Sequence, residues 1–339
     1  MKALSKVNVK DVLAAWSNSY RVFAPVRKDQ GDVLFDRFDE TSFTLEYRKP
    51  ALPPKSAYLL HNEAIYEVEQ GDYREILSGE PTILFGIRAC DAMGTAQAAH
   101  FMGRDHDDLY YRRKAELTLR IVAACPGPQN ETCFCTTTRS GPFAKEDFDL
   151  QLYDDGERFL IEVGSEKGVD LLDGPFFEEV KDIQASKKIA AFQKKAEGAV
   201  PPMPQVVTAI ERLKSGGGNE EIWDRLGNKC ITCGGCAFVC PTCTCFNVYD
   251  QVRSPGNGLR MRAWDACLYA GFTREASGHN PRGSQSARLK RRHEHKLLYY
   301  NESDVGSGLC GCVGCGRCSD SCPVHIGTLE VTSAIAENR

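Results

Sequence analysis

The sequence predicts an α/β or α+β domain over residues 1–204, followed by a cysteine-rich domain over residues 205–339. Two observations predict this division. Short apolar runs alternate with helical stretches in the first part, and twelve of the sixteen cysteines lie between Cys230 and Cys322. The chain is 42% hydrophobic and 26% charged, with a formal net charge of −4. This composition is typical of a soluble globular protein and excludes both a disordered chain and a strongly basic nucleic-acid binder.

The first domain contains several predicted strands. Residues 21–26 and 43–47 read as extended segments. Two later apolar runs, 82–88 and 119–124, have the length and composition of buried strands. Because a helical stretch at 91–99 lies between these two runs, the sequence predicts a β-α-β unit with a parallel pair of strands.

A proline-rich segment marks the predicted domain boundary. Residues 187–197 are helical in composition, and the prolines of 200–204 end that helix, because proline lacks an amide donor and clashes with the preceding turn. A further helical stretch at 205–214 is followed by a glycine-rich link at 215–219.

One cysteine motif occurs twice in the second domain, each time with the spacing C-x₂-C-x₂-C-x₃-C-P. Three thiolates of such a run bind one iron–sulfur cubane, and in two-cluster ferredoxins the fourth cysteine ligates the other cluster. Structural zinc modules instead use two C-x₂-C pairs separated by a spacer. The spacing therefore predicts two [4Fe–4S] clusters. Their ligands are Cys230, Cys233, Cys236 and Cys322 for cluster 1, and Cys312, Cys315, Cys318 and Cys240 for cluster 2.

Four more cysteines lie in the first domain. Cys90 and Cys125 each follow one of the two predicted parallel strands, and Cys133 and Cys135 share a polar loop. Because the carboxyl ends of parallel strands meet at one sheet edge, we expect these thiols to converge there. They form a predicted third site, for an iron–sulfur cluster or for zinc. The alternative is that some of them are small core residues.

Cys243, Cys245, Cys267 and Cys310 flank the two motifs. They could ligate a further cluster, or they could remain free thiols beside the main ones. Packing in the interior is the usual role of an unpaired cysteine, and it is the interpretation that the sequence favours.

The basic run at residues 288–296 is the strongest cluster of positive charge in the chain. It contains Glu294 and no interleaved aromatic residue, so it does not resemble a nucleic-acid site. The composition favours a solvated helix face or a docking site for an acidic partner.

The sequence also bears on localisation. No stretch approaches eighteen consecutive apolar residues, so no transmembrane helix is predicted. The first ten residues lack the apolar core of a secretory signal. We therefore expect a cytoplasmic protein, in which thiols stay reduced and dense cysteine indicates metal rather than disulfides.

The long spacer between the two motifs gives a first resemblance. Residues 287–298 look helical, and the arrangement from Gln205 onward resembles the α-helical ferredoxin domain of fumarate reductase and heterodisulfide reductase subunits. A ferredoxin of this type holds clusters and does not itself transform a substrate. The resemblance implies a dicluster domain with helices bridging the motifs.

A second resemblance covers nearly the whole chain. Several unusual motifs are similar to those of a family of iron–sulfur electron-transfer subunits. This family includes the A-type iron–sulfur subunit of anaerobic sulfite reductase and the beta subunit of soluble [NiFe] hydrogenase (sulfhydrogenase). The matching stretches are residues 20–25, 86–91, 130–135, 163–168, 240–246, 264–267 and 312–318.

This resemblance implies a non-catalytic electron-transfer subunit of a cytoplasmic oxidoreductase complex. Its partners would be a catalytic redox subunit of the sulfite reductase, [NiFe] hydrogenase or heterodisulfide reductase type, together with a flavin/NAD(P)H-binding subunit. Arg317, beside the second motif, is expected to raise a cluster potential or to dock a partner. The alternatives are a self-contained flavin-dependent iron–sulfur oxidoreductase and an iron–sulfur redox sensor. No phosphate-binding loop supports the former, and no helix-turn-helix signature supports the latter.

Overall fold

A computed structural model describes residues 1–300 and 311–338 of the chain. Cys310 therefore lies outside the described residues. The strands are β1 (Lys2–Ser5), β2 (Arg21–Arg27), β3 (Val33–Arg37), β4 (Asn62–Glu69), β5 (Asp72–Glu75), β6 (Thr82–Ile87), β7 (Thr118–Ala123), β8 (Leu150–Asp154), β9 (Arg158–Val163), β10 (Phe177–Glu179), β11 (Phe246–Ser254) and β12 (Asn257–Trp264). The helices are α1 (Val9–Trp16), α2 (Ala89–Arg104), α3 (Leu109–Glu116), α4 (Glu166–Asp170), α5 (Asp182–Ala199), α6 (Pro204–Lys214), α7 (Glu220–Lys229), α8 (Gly235–Phe238), α9 (Gln285–Glu294), α10 (Arg317–Asp320) and α11 (Thr328–Glu337).

A mixed sheet forms the centre of the N-terminal part, in the order β10-β1-β9-β8-β7-β6-β2-β3. The neighbours β2, β6, β7 and β8 are parallel, and the remaining pairs are antiparallel. The apolar core lies on this sheet and includes Leu13, Ile83, Phe85, Ile121 and Leu152.

The predicted β-α-β unit is confirmed. Every residue of β6 is buried, α2 begins two residues after β6 ends, and β7 returns parallel to β6. The segment 43–47 is not a strand, and there the prediction is wrong. Only Phe43 bridges to β2, at Val26. The carbonyl of Tyr47 instead accepts a hydrogen bond of 2.9 Å from the Arg88 guanidinium, so side chains rather than a neighbouring strand hold this segment.

A second sheet takes strands from both sides of the predicted domain boundary. Its order is β11-β12-β4-β5, and all pairs are antiparallel. Strands β4 and β5 precede the boundary, whereas β11 and β12 form a hairpin between the two cysteine motifs. The whole chain is thus a mixed α/β structure, and the spacer between the motifs is less helical than the resemblance implied.

The helices of the C-terminal part enclose the cysteine motifs. Helix α5 ends at Ala199 and α6 begins at Pro204, as the proline-rich break predicts. Trp223, Ile210, Leu289 and Val331 are fully buried between α6, α7, α9 and α11. Helix α9 continues into a π-helical turn at His295–Tyr299, a distortion that often occurs at functional sites.

The helices of the chain do not have the character of membrane spans. Across residues 1–300 and 311–338, no helix combines the length and apolarity that crossing a bilayer requires.

A buried ionic network joins the second sheet to α3. The Glu63 carboxylate accepts hydrogen bonds from Lys114 at 2.6 Å and from Arg262 at 2.5 and 2.9 Å. Arg262 also donates to Asp108 at 2.5 Å. The side chains of Glu63, Lys114 and Arg262 are at most 4% exposed, so each ion depends on the others for its solvation.

We predict that Glu63→Gln destabilises the chain by about 3–5 kcal/mol, because it leaves Lys114 and Arg262 buried without their shared carboxylate. The matched control is Glu67→Gln on the same strand, whose partner Arg74 is solvent-exposed. Its effect should be much smaller. Denaturant unfolding of the anoxically purified variants measures both, and equal losses in the two variants would contradict the role given to this network.

Candidate metal centres

The two cysteine motifs fold into equivalent loops. Gly234 has φ 72° and ψ −8°, and Gly316 has φ 73° and ψ −8°. Each glycine starts a short helix, α8 or α10, and these helices pack together. This left-handed conformation favours glycine. At Gly316, a Cβ atom would also lie 2.5 Å from the carbonyl oxygen of Thr132, so the second loop has no room for a side chain.

The thiols of the first motif are gathered on one loop. Cys236 lies next to Cys230 and Cys233, and it also faces Cys318 of the second motif. Burial raises the pKa of Cys236 to about 11. Cys322, the predicted fourth ligand, borders the same apolar core as Cys230 and Cys236.

The second motif is gathered in the same way. Cys315 lies next to Cys240 and Cys318, which are predicted ligands of the same cluster. Burial raises the pKa of Cys315. Cys312 is buried in the core between the helices.

The two loops differ in exposure. Cys233 is exposed and the neighbouring Ile231 is 56% exposed. By contrast, Cys312 and Cys315 are buried. The first motif is therefore the one that reaches the surface of the chain.

A buried guanidinium lies between the two motifs. Arg292 of α9 is 2% exposed and donates a 2.8 Å hydrogen bond to the carbonyl of Cys236. It faces the thiols of both Cys236 and Cys318. Burial alone lowers the pKa of Arg292, but the surrounding thiols raise it well above its ordinary value.

Two buried lysines lie beside Cys240. Lys296, on the π-helical turn, donates to Thr242 Oγ1 at 2.7 Å and hydrogen-bonds the Cys240 thiol. Lys55, from a 3₁₀ turn at Pro54–Ala57, donates to the carbonyl of Cys243 at 3.0 Å. Lys296 is 2% exposed and Lys55 is 6% exposed.

These three cations have thiols rather than carboxylates as neighbours. Over residues 1–300 and 311–338, neither Arg292, Lys296 nor Lys55 forms a salt bridge with an acidic side chain. Burying a cation without a counter-charge is costly. Thiolates bound to a metal supply that negative charge. The donor set therefore fits an anionic thiolate-bound metal group.

The basic run at 288–296 is buried, and the expectation of a solvated face is wrong. Arg288, Arg292, His293 and Lys296 all lie in the interior. Arg288, Arg292 and Lys296 recur every four residues, and this spacing places them on one side of the helix. That periodicity was the signal in the sequence. It was outweighed by the general rule that basic residues are exposed.

The four N-terminal cysteines lie close together. Cys90 is in the first turn of α2, and Cys125 follows β7. Cys135 lies near Cys125 and Cys133, and Cys90 lies near Cys135. Burial raises the pKa values of Cys90 and Cys125. The set also faces Cys315 of the second motif.

The thiol sets do not have the geometry of a mononuclear site. No three His, Cys, Asp or Glu side chains within the two described ranges are arranged to hold one metal ion.

Arg317 connects the second motif to the N-terminal part. Its guanidinium binds the Asp91 carboxylate at 2.6 and 3.1 Å and donates to the Pro50 carbonyl at 2.8 Å. The two side chains are 1% and 0% exposed. The expectation that Arg317 docks a partner is therefore wrong, since its contacts are inside the chain. Lys49 adds a hydrogen bond to the carbonyl of Cys315.

Comparison with known proteins places these motifs. Residues 229–326 match the family model described as a 4Fe–4S dicluster domain. Sulfhydrogenase 2 subunit beta of Pyrococcus furiosus is 29% identical over 332 residues, covering 94% of this chain and 92% of that protein. The chain belongs to this iron–sulfur subunit family. No solved structure matches it.

The matched region contains both cysteine motifs and α9, so the buried Arg292 and Lys296 belong to the iron–sulfur part of the chain. Sequence reasoning did not identify these two residues as part of the site. It also missed Lys49, Lys55 and Asp91, because they are distant in sequence from the cysteines that they approach.

We predict that Arg317→Gln lowers the stability of the chain by about 3–5 kcal/mol, because the Asp91 carboxylate then stays buried without its ion-pair partner. The double variant Arg317→Gln/Asp91→Asn should lose less than the sum of the two single variants, since two amides can still hydrogen-bond. Thermal unfolding of the four proteins tests this coupling. Strictly additive losses would show that the pair does not connect the second motif to α2.

Proposed function

We propose that this chain is an electron-transfer subunit that holds two [4Fe–4S] clusters. Cluster 1 takes Cys230, Cys233, Cys236 and Cys322, and cluster 2 takes Cys312, Cys315, Cys318 and Cys240. The observation that carries the proposal is the pair of equivalent cysteine loops, packed together around a buried arginine that has no carboxylate partner in the described chain. Such clusters supply one-electron transfer when bound.

The helices α6, α7, α9 and α11 form an α-helical ferredoxin unit in this proposal. They surround both loops with a single apolar core. The β11–β12 hairpin is an insertion into that unit, and it pairs with β4 of the N-terminal part.

The N-terminal thiols form a third site in this proposal. Cys90, Cys125, Cys133 and Cys135 would hold an iron–sulfur cluster or zinc. An iron–sulfur cluster is favoured, because the set faces Cys315 and so adjoins cluster 2.

The thiol sets follow one another in space. The N-terminal set adjoins Cys315, and Cys318 in turn adjoins Cys236 of the first motif. The first motif ends at the exposed Cys233. This order connects the sheet edge of the N-terminal part to the surface of the chain.

We propose that a redox partner contacts the exposed first loop. Ile231 presents an apolar side chain beside Cys233, and large exposed apolar residues at such a position favour a protein contact. The partners are a catalytic redox subunit together with a flavin/NAD(P)H-binding subunit. Their support is that the relative from Pyrococcus furiosus is one subunit of a sulfhydrogenase.

We predict that Arg292→Gln lowers the reduction potentials of both motif clusters by about 60 mV or more, one tenfold change in a one-electron equilibrium. The reduced cluster carries the additional negative charge, so removing a nearby cation disfavours reduction. The matched control is Arg291→Gln, because Arg291 is partly exposed and pairs with Glu294. Redox titration followed by electron paramagnetic resonance measures both variants. Equal potentials in Arg292→Gln and the wild type would contradict the position assigned to this charge.

We predict that Ile231→Glu weakens the association with the redox partner, because it places a charge in an apolar contact. The control is Ile183→Glu on α5, where the isoleucine is 74% exposed and distant in sequence from the motifs. Anoxic native purification of tagged chains, with flavin and metal analysis of the co-eluting subunits, compares the two. A wild-type chain that elutes alone with clusters and a flavin of its own would contradict the proposed function.

A further inference from the structure

Three cysteines outside both motifs lie at the base of the β11–β12 hairpin. Phe246 pairs with Trp264 at the open end of the hairpin. Cys245 directly precedes Phe246, and its carbonyl accepts a 3.0 Å hydrogen bond from the amide of Asp265. This closure brings Cys245 toward Cys267, which follows shortly after β12.

The thiols of these cysteines contact one another. Cys245 accepts hydrogen bonds from both the thiol and the backbone amide of Cys267. Cys243 faces Cys267 and hydrogen-bonds Cys240. Cys267 is only 4% exposed. The fold therefore assembles a thiol set that neither motif requires.

Two buried ammonium groups face this set. Lys55 approaches Cys243 and Cys245, and Lys296 approaches Cys243 and Cys240. The Lys55 Nζ also lies 4.3 Å from the centre of the Trp264 ring. Carbonyl oxygens and an aromatic face solvate a cation, but they do not neutralise its charge.

The charge distinguishes a metal site from simple packing. Cysteines that only fill a core behave as small apolar residues and need no cation nearby. A protonated thiol carries no charge, so it cannot balance Lys55 and Lys296. Thiolates can, and a bound metal keeps a thiol deprotonated.

We propose that Cys243, Cys245 and Cys267 ligate an additional iron–sulfur cluster, with Lys55 and Lys296 as its buried counter-charges. This rests on the proposed function in one respect, namely that Cys240 is a ligand of cluster 2. Zinc with three thiolates carries one net negative charge. A reduced [4Fe–4S] core with three thiolates carries two, which equals the charge of the two lysines.

The test counts metal in the full chain purified under anoxic conditions. Relative to the wild type, Cys245→Ser/Cys267→Ser should lose about four iron and about four acid-labile sulfide atoms per chain, the content of one [4Fe–4S] cluster. The paramagnetic signals of clusters 1 and 2 should persist. An unchanged iron content, or a loss of zinc in place of iron, would overturn the proposal.

The matched control is Cys133→Ser/Cys135→Ser, which removes two closely spaced thiols from the N-terminal set. It also keeps the proposal testable if the first variant does not fold. Native mass spectrometry of this control should show more iron than the two motif clusters contain. Iron for those two clusters alone would overturn the inference and leave the proposed function intact. A wild-type chain without either motif cluster would overturn both.

Discussion

The organisation of the C-terminal part depends on positive charge buried among thiols. Arg292, Lys296 and Lys55 occupy the interior beside the cysteine loops, and the described residues offer them no carboxylate. A chain without its metal groups would bury these cations at a cost that apolar packing cannot readily offset. The negative charge of metal-bound thiolates removes that cost. Folding of this part is therefore coupled to loading of the metal, as in other proteins whose sites form only in the folded state.

The same constraint explains why cluster 2 occupies the centre of the arrangement. Its proposed ligands face three different thiol sets: Cys315 faces the N-terminal set, Cys318 faces Cys236, and Cys240 faces Cys243. Each of these approaches comes from a different structural device. The parallel strands β6 and β7 present Cys90 and Cys125, the repeated loop presents Cys236, and the hairpin base presents the third set. The second motif is thus a meeting point of independent elements, and the first motif is the branch that reaches solvent.

Local sequence patterns predicted the parts of the site that lie on short stretches of chain. The convergence of Cys90 with Cys125 followed from two apolar runs and the rule that parallel strands end at one edge, and the fold has that parallel pair. The hairpin at Phe246–Trp264 and the burial of Arg292 could not be predicted in this way. A hairpin that pairs with the distant β4 is a tertiary contact with no local marker, and a basic helix face is normally solvated. Only the metal groups reverse that expectation, because they make the interior a favourable place for a cation.

The unequal burial of two equivalent loops has an electrostatic consequence. Removing a cluster from water disfavours its more negative reduced state, so burial lowers a reduction potential, while nearby cations raise it. Solvent reaches the first loop at Cys233, whereas the second loop is sealed between α2 and the helices. The sealed loop is also the one that receives Arg317, Lys49 and Lys296. These charges offset the desolvation of the second loop, although Asp91 cancels part of the contribution of Arg317. The net effect is to keep a deeply buried cluster reducible beside a more exposed one, which is what a relay between two redox partners requires.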